Sequence, residues 1–258
     1  MLHHTITTKK QITVLLLHGY GEDSRMWEYF MRGLKDTYQI LRIDLPGFGK
    51  SKIEGSVSIP DMAEGIKAVL DKLKIKQLIF IGHSMGGYVG LEFAKKYPEL
   101  LLGLSLFHSH PFADTAEMKK ARVISAKLAE SSDQAAYVRR LFSILFPKGY
   151  NNDKLIEKMV RRAAQYPLKG LTNGQLAMRQ RADNSTVLAQ LNCPVQFIIG
   201  TEDKAVPEEA KLEQVHLAAT ADIHILQGFG HMGMFEDSRR TKKIVRSFIE
   251  FCEYYVGK

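Results

Sequence analysis

The stretch QLIFIGHSMGGYVGLEFAKKY, residues 77–97, decides how this chain is read. Residues 77–81 form an apolar run of strand length, and residues 86–97 carry a helical pattern that Pro98 stops. Between them lies Gly82-His83-Ser84-Met85-Gly86, a G-x-S-x-G at a strand-to-helix turn, the setting of a nucleophile elbow. So sharp a turn holds its serine in strained backbone geometry, and the flanking glycines relieve the crowding. The hydroxyl is exposed at a helix N-terminus, where free amides and the positive end of the dipole favour developing negative charge. Alone the motif is common by accident. Placed between a strand and a helix, it marks Ser84 as a candidate nucleophile.

Working outward, apolar runs at 12–17, 38–43, 101–107, 195–199 and 223–226 read as further buried strands, and 2–7 as an antiparallel edge strand. Helices are expected over 24–35, from Ser58 through Leu73, over 86–97 and over 239–256. Ser58 and Asp61 supply the start signal of the second, with Pro60 in its first turn. Strands alternating with helices imply βαβ units and a mainly parallel sheet. The alternation breaks over 112–186, where helical patterns at 116–130, 134–145, 153–166 and 174–181 follow one another without a strand. Pro147, Gly149, Pro167 and Gly170 separate the pieces, so this region reads as a helical insertion.

Four other segments sit directly after strands. His18-Gly19-Tyr20-Gly21 follows the run at 12–17, and Asp44-Leu45-Pro46-Gly47-Phe48-Gly49-Lys50-Ser51 follows 38–43. Gly200-Thr201-Glu202-Asp203 follows 195–199, and Gly228-Phe229-Gly230-His231 follows 223–226. In this order, with the serine motif among them, they resemble the α/β-hydrolase family over 12–107 and 193–256. The resemblance implies an α/β-hydrolase fold, a mainly parallel sheet flanked by helices with an inserted helical cap. Residues 1–111 and 187–258 would form the core and 112–186 the cap.

The same resemblance implies that Ser84 is the nucleophile, His231 the base and Asp203 the acid that orients it, in the chain order of the family. It makes the backbone N–H groups of Tyr20 and Met85 the oxyanion donors. Glu202 and Asp114 compete with Asp203 for the acid. Asp44 reads as structural, bonding local amides in a glycine turn. Haloalkane dehalogenases and the related epoxide hydrolases of the family use Asp where this chain has Ser84. The implied chemistry is two-step acyl transfer by a carboxylesterase, on an ester, thioester or lactone, with no metal or organic cofactor. A ligand receptor or signalling protein on the same scaffold, and a lyase or acyltransferase using the same residues, are the alternatives.

Composition narrows the class further. A chain of 258 residues with 45% hydrophobic and 25% charged content can bury a large core without staples. Cys193 and Cys252 form no metal-binding spacing, and no signal peptide or membrane span is visible, so a cytoplasmic protein is expected. The pair His108 and His110 lacks a third ligand at a recognisable spacing. Net charge is +8, and residues 112–186 hold 14 Lys and Arg against 7 Asp and Glu, nearly the whole excess. No nucleic-acid motif accompanies that charge. It suits solvated helix faces, or a cap that attracts an anionic acyl substrate through residues such as Arg139, Arg140, Arg161 and Arg162.

Overall fold

The computed structural model describes residues 1–256. Seven strands form one sheet: β1 (His4–Ile6), β2 (Thr13–Leu17), β3 (Gln39–Ile43), β4 (Leu78–His83), β5 (Leu101–Phe107), β6 (Val195–Gly200) and β7 (Ala221–Leu226). Their spatial order is β1-β3-β2-β4-β5-β6-β7, parallel throughout except where β1 pairs with β3. The fold is the expected mainly parallel sheet flanked by helices. Strands β2, β4, β5 and β6 are buried along their length, which is why they read as unbroken apolar runs.

Register brings the strand ends to one rim. Leu17 pairs with Gly82, His83 with Phe107, Phe107 with Ile198, and Gly200 with Leu226. The loops after β2, β4, β5, β6 and β7 therefore open side by side, at the carboxyl ends where parallel sheets place their sites. Helices α1 (Ile59–Leu73) and α2 (Met85–Lys96) cover one face, and α10 (Ser238–Val256) the other. Neighbouring residues of β5 show the two sides. Gly103 faces Phe248 and Cys252 of α10, whereas Leu104 packs on Gly90 of α2. Ser58 and Asp61 form the capping box of α1.

Between β5 and β6 run α3 (Ala116–Ser131), α4 (Gln134–Leu145), α5 (Asp153–Ala163), α6 (Leu168–Gln180) and the short α7 (Ser185–Gln190). Thr115, Asp133 and Asn152 cap the first three through their side chains. After β6 come the short helices α8 (Glu208–Glu213) and α9 (Gly233–Glu236). No helix among the described residues is long and apolar enough to cross a membrane.

Three local expectations differ from the structure. The helix expected over 24–35 is one 3-10 turn, Ser24–Trp27, followed by turns. Gly33 sits at φ 83°, and side chains of α10 take carbonyls of this segment, with Lys242 Nζ donating to Tyr29 O and Arg246 Nη2 to Gly33 O. Helix α6 starts at Leu168, through the glycine read as a breaker. Gly170 packs directly on the backbone of Gly47, a contact that leaves no room for a Cβ. Strand β7 is half exposed, with Ile223 and Ile225 facing out, because it closes the sheet as an edge.

Candidate active site

Strand β4 ends at His83 and α2 begins at Met85, so Ser84 alone turns the chain. It does so at φ 51° and ψ −117°, outside the regions L-residues favour, at a cost of about 1–3 kcal/mol. Backbone bonds hold it there. The Ser84 N–H donates to Phe107 O at 3.0 Å, and its carbonyl accepts from Gly87 N–H and Ser109 Oγ, each at 2.8 Å. A Cβ at Gly82 would stand 2.5 Å from Gly86 O, and one at Gly86 2.7 Å from His18 O, so both positions must be glycine. The Ser84 side chain makes no capping hydrogen bond to α2. Met85 is the first helical residue, and its N–H is among those with no carbonyl of its own helix to reach.

Asp203 follows β6 in a turn. Its Oδ1 accepts from the N–H groups of Ala205 at 2.8 Å and Val206 at 3.2 Å, which fixes the carboxylate plane. Its Oδ2 stands 2.7 Å from His231 Nδ1. Burial pushes the Asp203 pKa up, but the charge of His231, its hydrogen bond and the His108 ring beside the carboxylate outweigh it and hold the group well below the usual carboxylate range. An ionised carboxylate only accepts, so the Nδ1–H of His231 donates to it. Nε2 of the neutral ring is then the basic nitrogen.

The backbone of His231 is gripped on both sides. Its N–H donates to Leu145 O at 2.7 Å, and its carbonyl accepts from His83 Nε2 at 2.9 Å. Glu236 braces the same loop, accepting from Gly230 N–H at 2.8 Å and Met232 N–H at 2.9 Å. His83 Nδ1 in turn faces Glu22 Oε2 at 3.1 Å. His108, at φ 51°, lies fully buried with Nδ1 3.4 Å from Asp203 Oδ2, and burial pushes its pKa down to about 4. No sequence motif marks Glu22, because its partner is distant in the chain; His108 belongs to the His108 and His110 pair at a strand end, and neither ring lines the Ser84 cavity. Glu236 carried a weak local signal, an acid in the first turn of α9 placed to reach back to preceding amides.

Tyr20 stands in the loop after β2. Its hydroxyl donates to Leu171 O of α6 at 2.9 Å and lies 2.8 Å from the Tyr137 hydroxyl of α4. His18 supports the same rim, with Nε2 accepting from Leu45 N–H at 2.9 Å. Ser84, His231 and Tyr20 line one cavity of about 330 Å³ under α3, α4 and α6. Its walls include Met118, Leu141, Ile144 and Met178, and its cationic side chains are Arg122 and Lys204. A second cavity of about 380 Å³ lies between the 3-10 turn and helices α4, α5 and α9, and contains neither Ser84 nor His231.

The remaining candidates lie apart from His231. Asp114 binds Arg122 and Arg181, Asp44 accepts from the amides of Ser24 and Lys50, and Glu202 is exposed. Arg139, Arg140, Arg161 and Arg162 do not line the Ser84 cavity. Arg139 pairs with Glu157 of α5, and Arg162 lines the second cavity. Among the described residues, no group of three or more His, Cys, Asp or Glu could hold a metal ion.

The model of the alpha/beta hydrolase fold family matches residues 12–238. A pimeloyl-[acyl-carrier protein] methyl ester esterase of Yersinia pseudotuberculosis is 28% identical over 244 residues, 92% of this chain and 93% of that protein. The biotin biosynthesis bifunctional protein BioHC of Cellvibrio japonicus is 24% identical over 252 residues, 95% of this chain. The match spans only 49% of that longer protein. A thermophilic esterase from Thermogutta terrifontis, solved with malate bound, superimposes with a TM-score of 0.90 at 26% identity, over 97% of this chain and 93% of that one.

Proposed function

The chain belongs to the alpha/beta hydrolase fold family and is a hydrolase of ester or related bonds, and from that premise we propose that it is a carboxylesterase working through Ser84, His231 and Asp203. The observation that carries this reading is the 2.7 Å bond from His231 Nδ1–H to a buried, ionised Asp203, behind a cavity that both His231 and Ser84 line. With Nδ1 committed, Nε2 is the nitrogen left to take a proton.

In the first step Ser84 Oγ bonds to the ester carbonyl carbon while His231 Nε2 takes its proton. The carbonyl pair moves onto oxygen, and the amides of Tyr20 and Met85 hold that oxyanion. Losing one such donor typically costs about 3–4 kcal/mol of transition-state stabilisation. As the oxyanion collapses, the bond to the alcohol oxygen breaks and the alcohol leaves with the His231 proton. Water, deprotonated by His231, then attacks the acyl-enzyme and releases the acid and Ser84. Asp203 keeps the imidazole in one tautomer and stabilises its positive form throughout.

In the same reading residues 112–186 act as a cap over a core of 1–111 and 187–258, and their inward side chains select the acyl group. The esterase relatives make a carboxylic ester the first substrate class to try. A fluorophosphonate probe should label the protein covalently, and Ser84→Ala should abolish the labelling while leaving the thermal melt in place. Equal labelling of a folded Ser84→Ala variant would remove Ser84 from the nucleophile's role.

A further inference from the structure

The polar corner of the Ser84 cavity holds more positive than negative charge. Asp114, fully buried, is shared by two guanidinium groups. Arg181 Nη1 donates to its Oδ1 at 2.6 Å and Arg122 Nε to its Oδ2 at 3.1 Å. Arg181 is itself 2% exposed, spends further donors on Phe112 O and Met178 O, and stacks on the Tyr88 ring at 4.0 Å. His110 faces the same pair, with Nε2 3.4 Å from Arg181 Nη2. Burial and the Arg181 charge push its pKa down to about 3, so it is neutral near pH 7. Two cations thus share one carboxylate.

Only one of the two arginines reaches the cavity. Arg122 lines it and is 19% exposed. Its bonds to Asp114 and to Gln175 Oε1, at 3.3 Å, use two of its five N–H donors. Gln175 and Ser125 line the cavity beside it, and both bond to the Tyr137 hydroxyl, at 3.3 and 2.9 Å. Asp114 anchors the guanidinium plane from behind. A fork fixed in this way matches a planar carboxylate better than a point charge would. The methionine and leucine side chains that complete the cavity suit methylene groups rather than a second charge.

We propose that Arg122, with Gln175 and Ser125, forms a subsite for the distal carboxylate of the substrate. The preferred ester would then carry an acyl chain ending in an anion, a half-ester of a dicarboxylic acid. This rests on the ester-hydrolase reading above and adds the substrate's charge to it. Arg122 acts here as a specificity residue and takes no part in bond making. The excess charge along the cap is then secondary, because this one guanidinium is the insertion's cation at the cavity.

The test compares mono-4-nitrophenyl esters of the straight-chain dicarboxylic acids from adipate to suberate with 4-nitrophenyl esters of the fatty acids of equal length. At least one half-ester should be preferred in kcat/KM by roughly ten- to hundred-fold, the worth of a charge-assisted hydrogen bond. Arg122→Gln should lower kcat/KM on the half-ester far more than on the neutral ester, so that the preference is erased, and Arg122→Lys should partly restore it. No preference in the wild-type enzyme, or an equal fall on both ester series in Arg122→Gln, would overturn the subsite even if the variant proves unstable. A second arm needs no turnover. Adipamate should bind Ser84→Ala more tightly than hexanamide by calorimetry, and Arg122→Gln should remove the difference. Failure of ester turnover with that binding difference intact would sink the hydrolase mechanism and spare the subsite. The reverse result would do the opposite.

Discussion

Two of the cavities at the insertion are nearly equal in volume, about 330 and 380 Å³, yet differ in how their polar groups are spent. In the larger, Asp23 is consumed by its neighbours. Its carboxylate accepts from Arg25 at 2.5 Å and from the Tyr166 hydroxyl at 2.6 Å, and it caps the 3-10 turn as well. In the smaller, the serine side chain does no capping work and the imidazole has one nitrogen fixed and one available. Volume therefore does not select the site. The smaller cavity lies where parallel strands end, so several loops can each deliver one group to it.

The sharpest way to break this contrast is Asp203→Asn. A carboxamide reverses the tautomer preference of His231 with little change of shape, and kcat on a simple ester should fall by roughly 10⁴-fold. Stopped or steady-state assays would show it, and a loss below ten-fold would deny Asp203 the orienting role. The counterpart in the larger cavity, Asp23→Asn, should be felt in the thermal melt rather than in turnover.

Acid unfolding separates the two regions by pH window. His108 and His110, behind the smaller cavity, stay neutral in the folded protein down to about pH 4 and about pH 3. In the unfolded chain they protonate near the usual 6.5, so the unfolded state binds more protons below that value and stability falls as pH drops. Each contributes a slope of on the order of 1 kcal/mol per pH unit until its folded pKa is reached. Asp23, beside the larger cavity, is depressed to about 2 although burial alone would raise it, because Arg25 and Tyr166 donate to it. Its stabilisation is present above the ordinary aspartate range and is lost only as pH falls from about 4 toward 2. Denaturant melts of His110→Gln should show a shallower slope between pH 6.5 and 4, while Asp23→Asn should change only the lower window. Identical profiles would mean that the histidines titrate freely.

The smallest effect is expected from filling the larger cavity. Met159→Trp should leave ester turnover within about two-fold, since the substitution touches no group at the Ser84 site. A ten-fold change in kcat/KM would show that the cavities act together.

Much of this was legible in the chain. Buried parallel strands advertise themselves as apolar runs, and each loop that reaches the rim carries its group one to a few residues past such a run, as Ser84, Asp203 and His231 do. Contacts between distant segments left no such trace. Nothing local ties Asp114 to Arg181, or Glu22 to His83. Gly170 misled for a related reason. A glycine inside a helix reads as a break until the opposing backbone of Gly47 explains it. The segment after Asp23 is interrupted by the left-handed Gly33, and α10, over two hundred residues later, supplies donors to two of its carbonyls.

Helix α4 has a consequence for anyone who would swap this insertion for another. Tyr137 near its start meets the phenol of Tyr20, and Leu145 at its end receives the amide of His231. One rod thus sets the spacing between two loops drawn from opposite ends of the polypeptide. A chimaera that grafts in foreign helices would change the calibration of the rim itself, and retuning selectivity here calls for point changes on α3 with α4 left in place.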